Sequence, residues 1–137
     1  MTKNRRDFLL VFSFSLTVFG LYLVIFWPGL HTWDGIVYLH EFITKPENSC
    51  GSMTWESVTY ACLLKAATFF RTDFLFMHVL QILVASVTCA YGFQVGRRLG
   101  RPKTAAFVIL LAVLLPINGL MIVSSERDIL FAWLASG

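Results

Sequence analysis

The residues of this chain whose types and spacing suit chemistry fall in two short polar stretches. The first is Trp27-Pro28-Gly29-Leu30-His31-Thr32-Trp33-Asp34-Gly35, followed by Ile36 to Phe42, which can form a short helix. If that helix starts near His31, then His31, Asp34, Tyr38 and Glu41 follow at steps of three, four and three residues and share one face. A polar face of this kind can bind a substrate head group. The plainer reading has Asp34 capping the helix while the other side chains meet water. His31, Asp34, His40 and Glu41 lack a recognised ligand spacing, so no metal is assigned.

The second stretch is Ser125-Glu126-Arg127-Asp128. It reads as a capping box, with Ser125 as N-cap and Asp128 at the third helical position, and its acids suit the positive end of a helix. Polar residues also interrupt the apolar runs. His78 and Gln81, one turn apart, could line a polar cavity, although hydrogen bonding between helices is the more economical account. Pro116 and Asn118 suggest a kink whose freed backbone groups neighbouring helices must satisfy.

The elements that must position these residues are set by composition. The chain has 137 residues, 57% of them hydrophobic and only 14% charged, with a mean hydropathy of +0.71. A soluble domain carries about 25% charged residues. The apolar residues sit in long runs broken by short charged stretches, so lipid rather than a private core is the burying medium. Phe8 to Trp27 contains no charged residue and ends in Phe26, Trp27 and Pro28, an aromatic exit that suits a retained span better than a signal peptide. Phe74 to Val95 and Thr104 to Val123 are further runs long enough to span, and a fourth helix starts at 126–137. The expected fold is all-α, a multi-span transmembrane helical bundle with interfacial helices in the first outer loop. Residues 1–137 form the N-terminal part of a single membrane domain, with spans at about 8–27, 74–95 and 104–123.

Basic residues cluster at Lys3, Arg5 and Arg6 and again at Arg97, Arg98, Arg101 and Lys103. Lys and Arg concentrate in short cytoplasmic segments. Two spans separate the clusters, so both lie inside when the N-terminus is cytoplasmic. Pro28 to Asp73 and Ser124 to Asp128 are then outside, and the protein is a multi-pass plasma-membrane protein. Val58 to Phe70, apolar in patches but holding Lys65, is expected to lie along the outer interface, because crossing there would move the second cluster outside. The clusters mark topology, not nucleic-acid binding. Cys50, Cys62 and Cys89 form no CxxC pair. Cys89 reads as a small packing residue, and Cys50 and Cys62 lie on the outer face, where a disulfide is permitted but not required.

The order of these features resembles the C-type superfamily of membrane glycosyltransferases, which use polyprenyl-phosphate sugar donors. The matching pieces are Pro28-Gly29 with Trp33-Asp34, the helix around Lys65, the basic loop Arg97 to Lys103, and Ser125 to Asp128. The resemblance covers nearly all of the chain. It departs from branches with paired adjacent acids in the first loop, where Asp34 stands alone, and the later spans and C-terminal region of the superfamily are missing. The resemblance implies sugar transfer from a polyprenyl-phosphate donor on the extracytoplasmic face of the cell envelope. Asp34 would be the base that takes a proton from the acceptor hydroxyl. Glu41, Lys65, Arg127 and Asp128 would contact substrate, with Arg127, Lys65 or Arg71 stabilising the departing phosphate. The partners implied are membrane lipid and the polyprenyl-phosphate sugar, with no cofactor, no metal and no nucleic acid. The chain would be a fragment of a longer enzyme, inactive alone. The alternative is a transporter or a non-catalytic multi-span subunit, in which His78, Gln81 and Asn118 line a path.

Overall fold

The computed structural model describes residues 3–27, 62–63, 65–66 and 75–124. Its main elements are four helices: α1 (Lys3–Ile25), α2 (Leu75–Arg98), α3 (Pro102–Leu114) and α4 (Pro116–Ile122). At 1.5 Å per residue α1 and α2 are each about 35 Å long, enough for a hydrocarbon core of about 30 Å. Both are long and apolar enough to cross a membrane, and α3 with α4 meets the same test as a pair.

Helix α1 begins five residues before the charge-free run, because Lys, Arg and the residues among them continue a helix readily. It ends in a turn at Phe26-Trp27, where the Phe26 N–H reaches Tyr22 O at 3.0 Å. Pro28 follows and disfavours helical geometry in the residue before it. Helix α2 runs three residues past the expected Val95. Gly100, at φ +74°, closes it. The Gly100 N–H bonds Arg97 O at 3.0 Å and the Arg101 N–H bonds Gly96 O at 2.9 Å. This paired arrangement satisfies the last carbonyls of the helix and needs a left-handed residue, which glycine supplies without strain. Pro102 then opens α3, so the two helices are joined by a tight hairpin.

The third expected span, 104–123, is broken at Leu115, next to the Pro116 that suggested a kink, and α3 and α4 meet at a 63° bend. Leu115 takes an extended conformation, φ −64° and ψ 120°, as a residue before proline should. Pro116 has no N–H to give to Ala112 O, four residues back. The Asn118 Nδ2 donates to that carbonyl at 2.8 Å. The freed group is therefore satisfied from within the kink and not by a neighbouring helix.

Helix α1 packs chiefly along α2. Its buried residues Ser15, Phe19 and Leu23 recur every four positions. The matching face of α2 carries Met77, His78, Gln81, Ile82, Ala85, Ser86, Cys89 and Ala90. The small residues in that set let the two backbones approach, which is how helices pack where water provides no driving force. Cys89 is buried and meets Ser15 across this interface, consistent with a packing role. The opposite faces expose large apolar side chains, among them Leu10, Leu21, Val24, Leu83, Tyr91 and Phe107. Helices apolar on every side suit hydrocarbon, not water.

Candidate functional site

One end of the helix assembly is basic and is tied together by a polar network. Arg97, in the last turn of α2, pairs with Asp7 of α1. Its second guanidinium nitrogen donates to Asn4 Oδ1 at 2.9 Å, and Gln94 Nε2 donates to the Asn4 carbonyl at 2.7 Å. Arg6 also approaches Asp7, at 3.8 Å. The start of α1 and the end of α2 are thus fastened side by side, and the two basic clusters share one end. Asp7 is the sole acid among the described residues, so among them no other acid faces Arg5, Arg98, Arg101 or Lys103.

At the other end, α4 folds back onto the tops of α1 and α2. Phe19 and Leu23 of α1, Ile82 of α2, and Ile122 and Val123 form one buried cluster, with Tyr22, Phe26 and Leu75 packed against it. Gly119 lies on the Tyr22 ring, close enough that an added Cβ would stand 2.5 Å from Cδ2 and Cζ. Only glycine fits that approach.

The polar atoms of this end are accounted for by α2. The Gln81 amide, oriented by its hydrogen-bond network, donates to Ile122 O at 2.9 Å and to Ser124 O at 3.3 Å. The Ile122 carbonyl is one of the last-turn acceptors that a helix leaves open. Two more are closed locally, as the Ser124 N–H and hydroxyl both bond Met121 O, at 3.0 and 2.9 Å, and the Val123 N–H bonds Gly119 O at 3.4 Å. His78 Nδ1 lies 3.4 Å from the Gln81 amide, and both side chains are buried. Gln81 therefore makes the bond between helices that the spacing suggested, and His78 meets Gln81 within α2. Gln81 also holds the backbone immediately before Ser125.

Of the residues assigned to substrate chemistry from sequence, Asp34, Glu41, Arg127 and Asp128 lie outside the described residues, as do His31 and Arg71. Lys65 is described: it is partly buried and helical, as are Cys62 and Leu63, and Ala66 is helical and exposed, within the segment expected to hold an interfacial helix. Cys62 is disulfide-bonded. Trp27, which ends the α1 turn, and Ser124, which follows α4, both lie at the end opposite the basic network. Sequence reasoning passed over Asp7, Asn4 and Gln94. The available signal was one acid placed among the basic residues ahead of the first apolar run. Among the described residues no group of three or more His, Cys, Asp or Glu could hold a metal ion. No protein-family model matches the chain, and no curated protein or solved structure matches it.

Proposed function

We propose that this chain is part of a multi-pass membrane glycosyltransferase that works on the extracytoplasmic face with a polyprenyl-phosphate sugar donor. The observation that supports the reading is that Trp27 and Ser124, the residues next to the two candidate stretches, lie at one end of the helices. Trp27, which leads into Pro28 to Asp34, and Ser124, which leads into Ser125 to Asp128, are anchored at one end by the Tyr22–Gly119 contact and the Gln81 hydrogen bonds. The basic network holds the opposite end. Basic residues favour the cytoplasm, and the disulfide at Cys62 requires an oxidising compartment. Both arguments support a reading with the candidate stretches outside.

In the reaction, Asp34 takes the proton of the acceptor hydroxyl as the acceptor oxygen bonds the sugar C1. The bond from C1 to the phosphate oxygen breaks, and polyprenyl phosphate leaves with its charge balanced by Lys65 or Arg127. The test is transfer of radiolabelled sugar from a panel of polyprenyl-phosphate hexoses and pentoses in membranes carrying the protein. Asp34→Asn abolishes transfer while membrane insertion is retained. Near-normal transfer by that variant removes Asp34 from the mechanism, and consumption of no donor removes the enzyme class.

A second reading, a transporter, is favoured by the 63° bend between α3 and α4, because broken helices build substrate sites in carriers. Uptake of a solute into vesicles that is lost on Asn118→Leu would select it.

A further inference from the structure

A groove of about 270 Å³ runs between α2 and α3 next to the basic hairpin. Gly92, Gly96, Ala105 and Val108 line it, with Arg101 and Thr104 beside the hairpin. Gly96 has no side chain, which lets Ala105 close onto α2 beside the groove: a Cβ there would overlap that of Ala105. Arg101 makes no side-chain cap to α3. Asp7 is engaged by Arg97 and Arg6, so no acid among the described residues neutralises Arg98, Arg101 or Lys103.

We propose that this groove binds one acyl chain of an anionic phospholipid whose phosphate rests on Arg101 and Lys103. The inference rests on reading α1 and α2 as membrane spans and is independent of the transferase chemistry. Charge and shape agree on the occupant. An apolar trough opening toward lipid and closed at its end by cations fits a molecule that is apolar along its length and anionic at its head. Basic pockets between spans on the cytoplasmic side recognise such head groups. A second copy of the chain docked in the same membrane orientation would bring two cationic hairpins together.

The test uses the purified chain in mixed micelles containing equal amounts of phosphatidylglycerol and phosphatidylcholine with the same acyl chains. Native mass spectrometry reads the bound lipid, and carbonate extraction of the source membranes separately checks insertion. The wild-type chain retains phosphatidylglycerol several-fold over phosphatidylcholine. Arg101→Gln combined with Lys103→Gln brings the ratio close to one, and Val108→Trp, which fills the trough from an exposed position, lowers both adducts. A wild-type ratio near one, or a ratio that neither variant changes, overturns the proposal. So does displacement of the lipid by millimolar glycerol phosphate, which would mark a free-phosphate site, or a dimer that forms in place of the lipid adduct and is lost in Val108→Trp.

Discussion

The kink at Leu115 allows a test of whether one side chain replaces one missing backbone donor. Asn118 Nδ2 bonds Ala112 O at 2.8 Å, the carbonyl that Pro116 cannot serve. Asn118→Leu keeps the volume and removes the donor, so it should cost about 0.5–2 kcal/mol. The lower figure is typical of polar contacts between membrane helices, and the upper is that of a carbonyl left without a partner. Pro116→Ala restores an N–H at the required position. In that background Asn118→Leu should cost close to nothing, and α3 and α4 should merge into one straighter helix. Helix α3 has 13 residues and α4 has 7, which is about 20 Å and 10 Å of axis at 1.5 Å per residue. A 63° bend gives an end-to-end span of about 26 Å against about 30 Å when straight. Pulsed electron spin resonance between labels at Lys103 and Met121, both exposed, should therefore report a lengthening of about 4 Å in Pro116→Ala. Stability is read from detergent-induced loss of helicity. An equal cost of Asn118→Leu in both backgrounds, with no change in distance, refutes the account.

Three further predictions follow from the contacts at the two ends. Gly119→Ala should destabilise by about 1–3 kcal/mol because the methyl displaces Tyr22, which stacks on Phe26. In a Tyr22→Ala background the same change should stabilise by up to about 1 kcal/mol through helix propensity, and an unchanged sign in detergent unfolding contradicts the packing argument. Asp7→Lys should loosen the basic end by placing like charges at Arg97, and Asp7→Lys with Arg97→Glu should restore most of the loss, as read by hydrogen exchange at the start of α1. A cysteine at Arg101 should stay unlabelled by an impermeant maleimide in intact cells and react after permeabilisation; labelling from outside reverses the proposed orientation.

The first two helices were legible because hydrophobic runs free of charge have few other solutions. Their ends were less so. The charge-free stretches are shorter than the helices, because Asp7 and Arg97 are satisfied by each other and extend the helical ends beyond the apolar residues. That pair joins positions 90 residues apart, a separation no local pattern reveals. Pro116 was legible as a kink. That the kink repairs itself was not, since the reach from Asn118 to Ala112 depends on the bend angle. At the candidate site, the charge rule predicts that both polar stretches face the same side, and the described residues show Trp27 and Ser124 at one end of the helices. Composition does not encode that Gln81 holds the chain just before Ser125, because a glutamine in an apolar run has many ways to be satisfied.

Gln81 is also where the transferase and transporter readings part. A carrier needs the unwound backbone at its broken helix to remain open to an ion or substrate. Here the carbonyl freed by Pro116 is taken by Asn118, and the Ile122 and Ser124 carbonyls are taken by Gln81. Those acceptors are spent on fixing the bend and the backbone up to Ser124. A rigid mount for a polar motif at the edge of the apolar helices suits a reaction that must align an acceptor hydroxyl with a lipid-held sugar, since small displacements there are costly in rate. Gln81→Leu frees two carbonyls and loosens the mount without touching Asp34. In the transferase reading it lowers turnover while Asp34→Asn abolishes it, and in a carrier it alters the pathway lining and with it solute selectivity.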